Sequence, residues 1–107
     1  MIQEISAKEL HERQTSGDGP QVIDIRNSAE FAQGHIPGAI NVPMHELPSR
    51  IDEIEWDDEV VVACPIGQSS IQAARLIGSY EGVEDAGEVR SLAGGYNAWE
   101  YELESEE

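Results

Sequence analysis

The sequence predicts an α/β fold built on a parallel sheet, and three observations support this prediction. Five short strand candidates recur along the chain, and segments with helix signals alternate with them. The segment Val60–Ala63 is apolar on both of its alternating faces, which is typical of a strand that is buried on both sides of a parallel sheet. With 107 residues, we expect one domain over residues 1–107 with a single modest core.

The first half of the chain predicts two strand–helix units and a third strand. Ser6 and Glu9 have the spacing of a capping box, in which each residue satisfies a backbone donor of the other, and Asn27 and Glu30 repeat this spacing. Gly34 suits the left-handed position after a helix end. The predicted elements are the strand Gln3–Ile5, a helix from Ser6 to about Gln14, the strand Val22–Ile25, the helix Ser28–Gln33 and the strand Ala39–Val42.

The second half predicts two further strands and three helices. Leu47 and Ile51 lie on one side of a short helix, and Pro65 and Gly67 interrupt the chain after the fourth strand. Apolar residues then recur every three or four positions over 71–77, which indicates an amphipathic helix. The predicted elements are the helix Glu46–Asp52, the strand Val60–Ala63, a helix from Ser70 capped by Gly82, a turn at 83–87, the strand Val89–Leu92 and a helix over Tyr96–Tyr101.

The charge is strongly negative, with 22 acidic and 6 basic residues and a net charge of −16. This balance argues against nucleic acid and anionic membranes as partners. The acidic residues are dispersed, as on the solvated surfaces of proteins from salt-loving organisms, so we expect a halophilic source. A surface for a basic protein partner is the alternative interpretation. Residues 102–107 are expected to form a frayed acidic tail.

Two absences in the sequence bear on location. No stretch approaches the roughly 18 apolar residues of a membrane span, and the first residues lack the basic and apolar regions of a signal peptide. We therefore expect a cytoplasmic protein.

Cys64 is the single cysteine, and it lies at the predicted turn from the fourth strand to the following helix. One cysteine excludes an internal disulfide, a redox pair and a cysteine-rich metal site, and we expect neither a metal nor a cofactor. Backbone N–H groups at such a turn form an anion site, which favours the reactive thiolate. The alternative is that Cys64 is simply a small buried apolar residue.

Several groups of residues occur in a fixed order across nearly the whole chain. They are Asp24-Ile25-Arg26, Glu30-Phe31, Gly34-His35-Ile36-Pro37-Gly38-Ala39, Asn41, Cys64-Pro65-Ile66-Gly67 and Gly94-Gly95-Tyr96-Asn97-Ala98-Trp99. Together they resemble the rhodanese family of sulfurtransferases. The resemblance implies a single-domain rhodanese-like fold, in which a five-stranded parallel sheet carries helices on both faces.

The resemblance also implies a site and its chemistry. Cys64 would carry a persulfide, which moves sulfur from a small sulfur donor to a thiol or cyanide-like acceptor, with a sulfur-relay protein as a further partner. The loop whose backbone would hold the anion comprises Pro65, Ile66, Gly67, Gln68, Ser69 and Ser70. The family pattern and their position at a strand end favour a structural ion pair for Asp24 and Arg26. Gly94 and Gly95 are expected to permit a tight turn beside the loop, and phosphate binding is the alternative for a glycine pair.

The loop departs from the family pattern at Ser69, where active rhodaneses commonly have an arginine. Without that cation we expect weak activity with the dianion thiosulfate. Two other functions stay open. One is a non-catalytic module for protein binding or thiol sensing; the other is a cysteine phosphatase or arsenate reductase, although those enzymes use a longer loop closed by an arginine.

Overall fold

The computed structural model describes residues 2–80 and 88–105. Its five strands form one sheet in the order β1-β5-β4-β2-β3, and every neighbouring pair is parallel. The strands are β1 (Gln3–Ile5), β2 (Gln21–Asp24), β3 (Ile40–Asn41), β4 (Val60–Ala63) and β5 (Val89–Leu92). The predicted five-stranded parallel sheet is therefore confirmed.

Within residues 2–80 and 88–105, four α-helices and the 3₁₀ helix Gly95–Ala98 accompany these strands. Ser6 Oγ accepts from the N–H of Glu9 at 3.0 Å, and Asn27 Oδ1 accepts from the N–H of Glu30 at 2.8 Å. Both N-caps were predicted, because these side chains satisfy donors that the first helical turn leaves free. The helices are α1 (Ala7–Thr15), α2 (Ser28–Gln33), α3 (Leu47–Arg50), α4 (Ser69–Gly78) and the 3₁₀ helix Gly95–Ala98.

The sheet separates two apolar clusters, and β4 contributes to both. Val60, Val62 and Cys64 pack with residues of α3 and α4, whereas Val61 and Ala63 pack with residues of α1 and with Trp99. This division follows from the two-residue period of a strand. The strand that ends at Cys64 is thus buried on both faces, as its composition predicts.

Several predicted boundaries are wrong by one to three residues. β3 comprises only Ile40–Asn41 and α3 only Leu47–Arg50, while α4 begins one residue earlier than predicted and ends at Gly78 with Ser79 as its C-cap. Gly82, predicted as the cap, and the turn predicted at 83–87 lie outside the described residues.

The last predicted helix, Tyr96–Tyr101, is instead the 3₁₀ helix Gly95–Ala98. Tyr96 and Asn97 donate their N–H groups to the carbonyl oxygens of Cys64 and Pro65, at 2.9 and 3.0 Å. Trp99 is extended, and its indole N–H donates to the carbonyl oxygen of Glu102 at 3.0 Å. Contacts with the cysteine loop therefore hold this segment in a single short turn.

The acidic tail, predicted to be frayed over residues 102–107, is described as far as residue 105. His35 and Glu104 exchange two backbone hydrogen bonds of 2.8 Å each, and Glu104 Oε1 accepts from the N–H of Gly38 at 3.1 Å. These bonds fix the segment against the connector that precedes β3. Residues 106 and 107 lie outside the described part.

The helices of the described ranges, 2–80 and 88–105, are all too short or too polar to cross a membrane.

Candidate active site

Cys64 immediately follows β4, at the carboxyl end of the sheet, and its side chain is completely buried. Its Sγ accepts the backbone N–H groups of Gly67, at 3.0 Å, and Ser70, at 3.3 Å. The Ser70 hydroxyl lies 3.3 Å from the same sulfur. The chain between β4 and α4 thus turns its donors inward, which is the geometry of an anion site.

Two opposing effects act on the Cys64 thiol. Burial raises its pKa, because a thiolate loses solvation in the interior. Hydrogen bonds from the Ser70 hydroxyl and from the backbone N–H groups of Ser70, Gly67 and Ile66 lower it. The hydrogen bonds prevail, and the pKa of Cys64 lies below its ordinary value. The nucleophilic thiolate therefore forms more readily than in an ordinary cysteine.

The loop itself has a buried base and an exposed rim. Gly67 and Ser70 are buried beside the sulfur, whereas Pro65, Gln68 and Ser69 are exposed and Ile66 exposes 52% of its surface. The side chains that an incoming substrate meets first are therefore uncharged.

Gly67 packs directly against the turn formed by Gly94 and Gly95. All three glycines have positive φ, at 85°, 73° and 57°. A Cβ on Gly67 would lie 2.8 Å from the backbone nitrogen of Gly94, and a Cβ on Gly95 would collide with the carbonyl oxygen of Cys64. The two glycines predicted to form a turn beside the cysteine loop do so, and the contact requires the absence of side chains.

Asp24, which is buried, and Arg26, which is partly buried, form an ion pair at the end of β2. The Arg26 Nη2 to Asp24 Oδ2 distance is 2.8 Å, and Arg26 also donates to the carbonyl oxygen of Gly34 at 2.7 Å. The hydroxyl of Tyr96 donates to Asp24 Oδ2 at 2.7 Å, and the Arg26 guanidinium lies 3.6 Å from the centre of the Tyr96 ring. The guanidinium is therefore committed to structural partners.

Tyr96 connects this ion pair to the cysteine loop. Its N–H donates to the carbonyl oxygen of Cys64, and its hydroxyl accepts the N–H of Ile36 at 3.0 Å. Burial and the adjacent Asp24 carboxylate raise the pKa of Tyr96, so that the hydroxyl stays a donor. Asp24 and Arg26 are thus connected to the cysteine loop through Tyr96.

The roles of two residues in this region were not predicted from the sequence. Tyr96 belongs to one of the sequence motifs, but its link between the ion pair and the cysteine loop was not predicted. Ser91 lies buried on β5, with its Oγ 2.6 Å from that of Ser70. The available signal was a single small hydroxyl residue within a strand whose other buried members, Val89 and Leu92, are apolar.

The described residues offer little to hold a cation or a multiply charged anion. Among residues 2–80 and 88–105, no three His, Cys, Asp or Glu side chains lie close enough together to bind a metal ion. Ser69 is the first residue of α4, and Arg75, on the same helix, is exposed. The groups that reach Cys64 Sγ are two backbone N–H groups and the Ser70 hydroxyl, none of which is charged.

Known proteins share this architecture. Residues 6–102 match the rhodanese-like domain family. The chain is 39% identical to a sulfurtransferase of Allochromatium vinosum over 92% of its own length and 89% of that protein's. It is 38% identical to the thiosulfate sulfurtransferase GlpE of Shewanella oneidensis over 79% and 80% of the two chains. The structure of the human single-domain sulfurtransferase TSTD1 superposes with a TM-score of 0.76 at 28% identity, covering 92% of this chain and 96% of that one.

Proposed function

The chain belongs to the rhodanese-like domain family, and we propose that it is a sulfurtransferase that carries sulfur as a persulfide on Cys64. The observation that carries this proposal is the convergence of donors from Gly67 and Ser70 on the sulfur of the single cysteine. Relatives named as sulfurtransferases add support, because they align with most of this chain.

The reaction proceeds in two displacements with no net oxidation. In the first, the Cys64 thiolate attacks the outer sulfur of the donor, a new S–S bond forms, and the donor's bond to that sulfur breaks with its electron pair leaving on the donor. In the second, a thiol or cyanide-like acceptor attacks the outer sulfur of the persulfide. The S–S bond breaks and its electron pair returns to Cys64, which is again a thiolate.

The hydrogen-bond donors of the loop assist both displacements. Cys64 is an anion before the first step and becomes one again in the second, so donors fixed around Sγ stabilise it as nucleophile and as leaving group. Gly67 and Ser70 supply these donors from backbone that the Gly94–Gly95 turn holds in place.

The class of sulfur donor is argued from Ser69, which carries no charge. Thiosulfate carries two negative charges, and neither the uncharged rim of the loop nor the net charge of −16 attracts it. Persulfides and polysulfides of lower charge depend less on a cation in the loop for binding. Transfer from thiosulfate is therefore weak, and a small persulfide is the better donor.

The setting of the reaction belongs to the same proposal. A single free cysteine that must stay reduced suits the cytoplasm, and the acidic composition suits high salt. The acceptor is a thiol or a cyanide-like nucleophile, and a sulfur-relay protein can present such a thiol.

The test is mass spectrometry of the intact protein after incubation with a small persulfide or with thiosulfate. We expect Cys64 to gain the mass of one sulfur atom, to lose it on addition of cyanide, and to release thiocyanate. Cys64→Ala should gain none, while retaining the melting temperature of a folded protein.

Other results would contradict the proposal. A folded protein whose Cys64 reacts with alkylating agents yet accepts sulfur from no donor would indicate a binding or sensing module. Hydrolysis of an aryl phosphate without persulfide formation would indicate a phosphatase.

A further inference from the structure

Ser91 places a hydroxyl in the middle of the sheet, where the surroundings are apolar. It pairs in register with Val62 of β4 and with Glu4 of β1, and none of its surface is exposed. A buried hydroxyl costs free energy unless it finds a hydrogen-bond partner. Alanine or valine at this position would avoid that cost, so the hydroxyl calls for an explanation.

The partner of Ser91 is the hydroxyl of Ser70, at an Oγ–Oγ distance of 2.6 Å. Ser70 is equally buried, and its Oγ lies 3.3 Å from Cys64 Sγ. The three side chains therefore form an unbroken polar chain from β5, through the first turn of α4, to the sulfur at the end of β4.

The positions of the hydroxyl protons follow from the acceptors at hand. Within residues 2–80 and 88–105, Ser91 Oγ has a single hydrogen-bond partner, Ser70 Oγ. A thiol that donated to Ser70 would turn the Ser70 proton toward Ser91 and leave the Ser91 proton without an acceptor. The opposite direction satisfies both hydroxyls, because Ser91 donates to Ser70 and Ser70 donates to the sulfur.

In that direction three donors meet at one sulfur atom. The N–H groups of Gly67 and Ser70 already point to Sγ, and the Ser70 hydroxyl becomes the third. A sulfur surrounded by three donors is best satisfied as an acceptor carrying a negative charge.

We propose that Ser91 is a positioning residue for sulfur transfer, which acts by holding the Ser70 hydroxyl as a donor to Cys64. This inference rests on the proposed function in one respect, namely that Cys64 is the reacting group. It adds that a buried strand residue, with no contact to substrate, controls the charge state of that group.

The test is the titration of Cys64 in the wild type and in Ser91→Ala. Because the chain has one cysteine, the rate of alkylation by iodoacetamide as a function of pH reports Cys64 alone. Loss of one neutral hydrogen bond should raise the apparent pKa of the thiol by about half a unit to one unit. The pH profile of sulfur uptake should shift by the same amount.

Two further variants separate positioning from packing. Ser91→Thr keeps a hydroxyl and should restore the alkylation profile of the wild type. Ser49→Ala removes an exposed hydroxyl that bonds only its own helix and should leave the profile unchanged. The inference is overturned if Ser91→Ala titrates like the wild type, or if Ser91→Thr is shifted as far as Ser91→Ala although both melt as folded proteins.

The titration tests the role of Ser91, whereas the sulfur-uptake assay tests the proposed function, so each can give a negative result without the other. If the wild type takes up sulfur but the Ser91→Ala profile does not move, only the role of Ser91 is refuted. If the wild type takes up no sulfur from any donor, the proposed function is refuted whatever the titration gives.

Discussion

At the scale of single residues, the site surrounds the Cys64 sulfur with hydrogen-bonding groups but presents an uncharged loop rim to the substrate. Cys64 Sγ receives two backbone donors and faces a hydroxyl, all of them uncharged. Arg26, the partly buried arginine of the family motif, is bound to Asp24 and to the carbonyl of Gly34, so it is not free to bind an anion. The identity of residue 69 should therefore decide how well a dianionic donor is used.

Ser69→Arg should raise kcat/KM for thiosulfate by roughly ten- to a hundredfold, because a charge-assisted hydrogen bond contributes about 1.5–3 kcal/mol. The side chain starts from an exposed position at the beginning of α4, where a longer residue has room to extend. Steady-state kinetics with thiosulfate and with a small persulfide of lower charge as alternative donors measure the change. The persulfide reaction should change little.

Ser69→Met is the matched control, since it adds a side chain of similar length without charge. It should leave the thiosulfate kinetics close to those of the wild type. An equal gain from Met and Arg would mean that the charge at residue 69 has no part in donor selection.

At the scale of elements, the site depends on the contact between two loops. The β4–α4 loop and the turn after β5 meet at Gly67, Gly94 and Gly95, and the 3₁₀ helix donates two N–H groups back to the cysteine loop. Both loops leave the same edge of the sheet, because β4 and β5 are parallel neighbours. The parallel topology thus brings the second loop to the first.

Gly67→Ala should destabilise the protein more than Gly38→Ala. Both glycines have φ near +80°, and a residue with a Cβ pays about 1–2 kcal/mol in that region. A Cβ on Gly38 meets open space, so backbone strain is the only cost in stability expected for Gly38→Ala. A Cβ on Gly67 would in addition lie 2.8 Å from the backbone nitrogen of Gly94. Urea denaturation measures the difference in the free energy of unfolding.

The same pair of variants should differ in sulfur uptake. Gly67→Ala shifts the N–H that binds Cys64 Sγ and should slow persulfide formation, while Gly38→Ala should not. Equal costs and equal uptake in the two variants would show that the contact between the loops does not set the geometry of the site.

The sequence predicts well those elements that are determined by contacts between residues close together in the chain. Ser6 and Asn27 cap their helices as predicted, because each accepts a backbone N–H only three residues away. The 3₁₀ helix was predicted as a longer α-helix because the carbonyl oxygens that bind it, those of Cys64 and Pro65, are distant in sequence. Ser91 was missed for the same reason, since its partner Ser70 is 21 residues away. The cysteine loop could be located from the sequence, but the hydroxyl behind it could not.

At the scale of the whole molecule, acidic residues greatly outnumber the cations available to pair with them. The chain has 22 acidic and 6 basic residues, and in the described part Arg13, Arg26, Arg50 and Arg90 are bound to carboxylates. Most of the acidic residues therefore repel one another across the surface. This repulsion disfavours the compact state and falls as salt screens it, since the Debye length shrinks from about 10 Å at 0.1 M to 3 Å at 1 M.

The melting temperature should therefore rise as potassium chloride is increased from about 0.05 M to 2 M, because screening at these concentrations relieves the repulsion within the folded chain. The segment between α3 and β4 offers a matched variant, since Asp52, Glu53, Glu55 and Asp58 have exposed side chains. Replacing them with Asn and Gln removes four negative charges, which should raise the melting temperature at low salt and flatten its rise with salt. If the wild type and this variant rise equally, the salt is acting by strengthening apolar burial, and the acidic surface is not the cause.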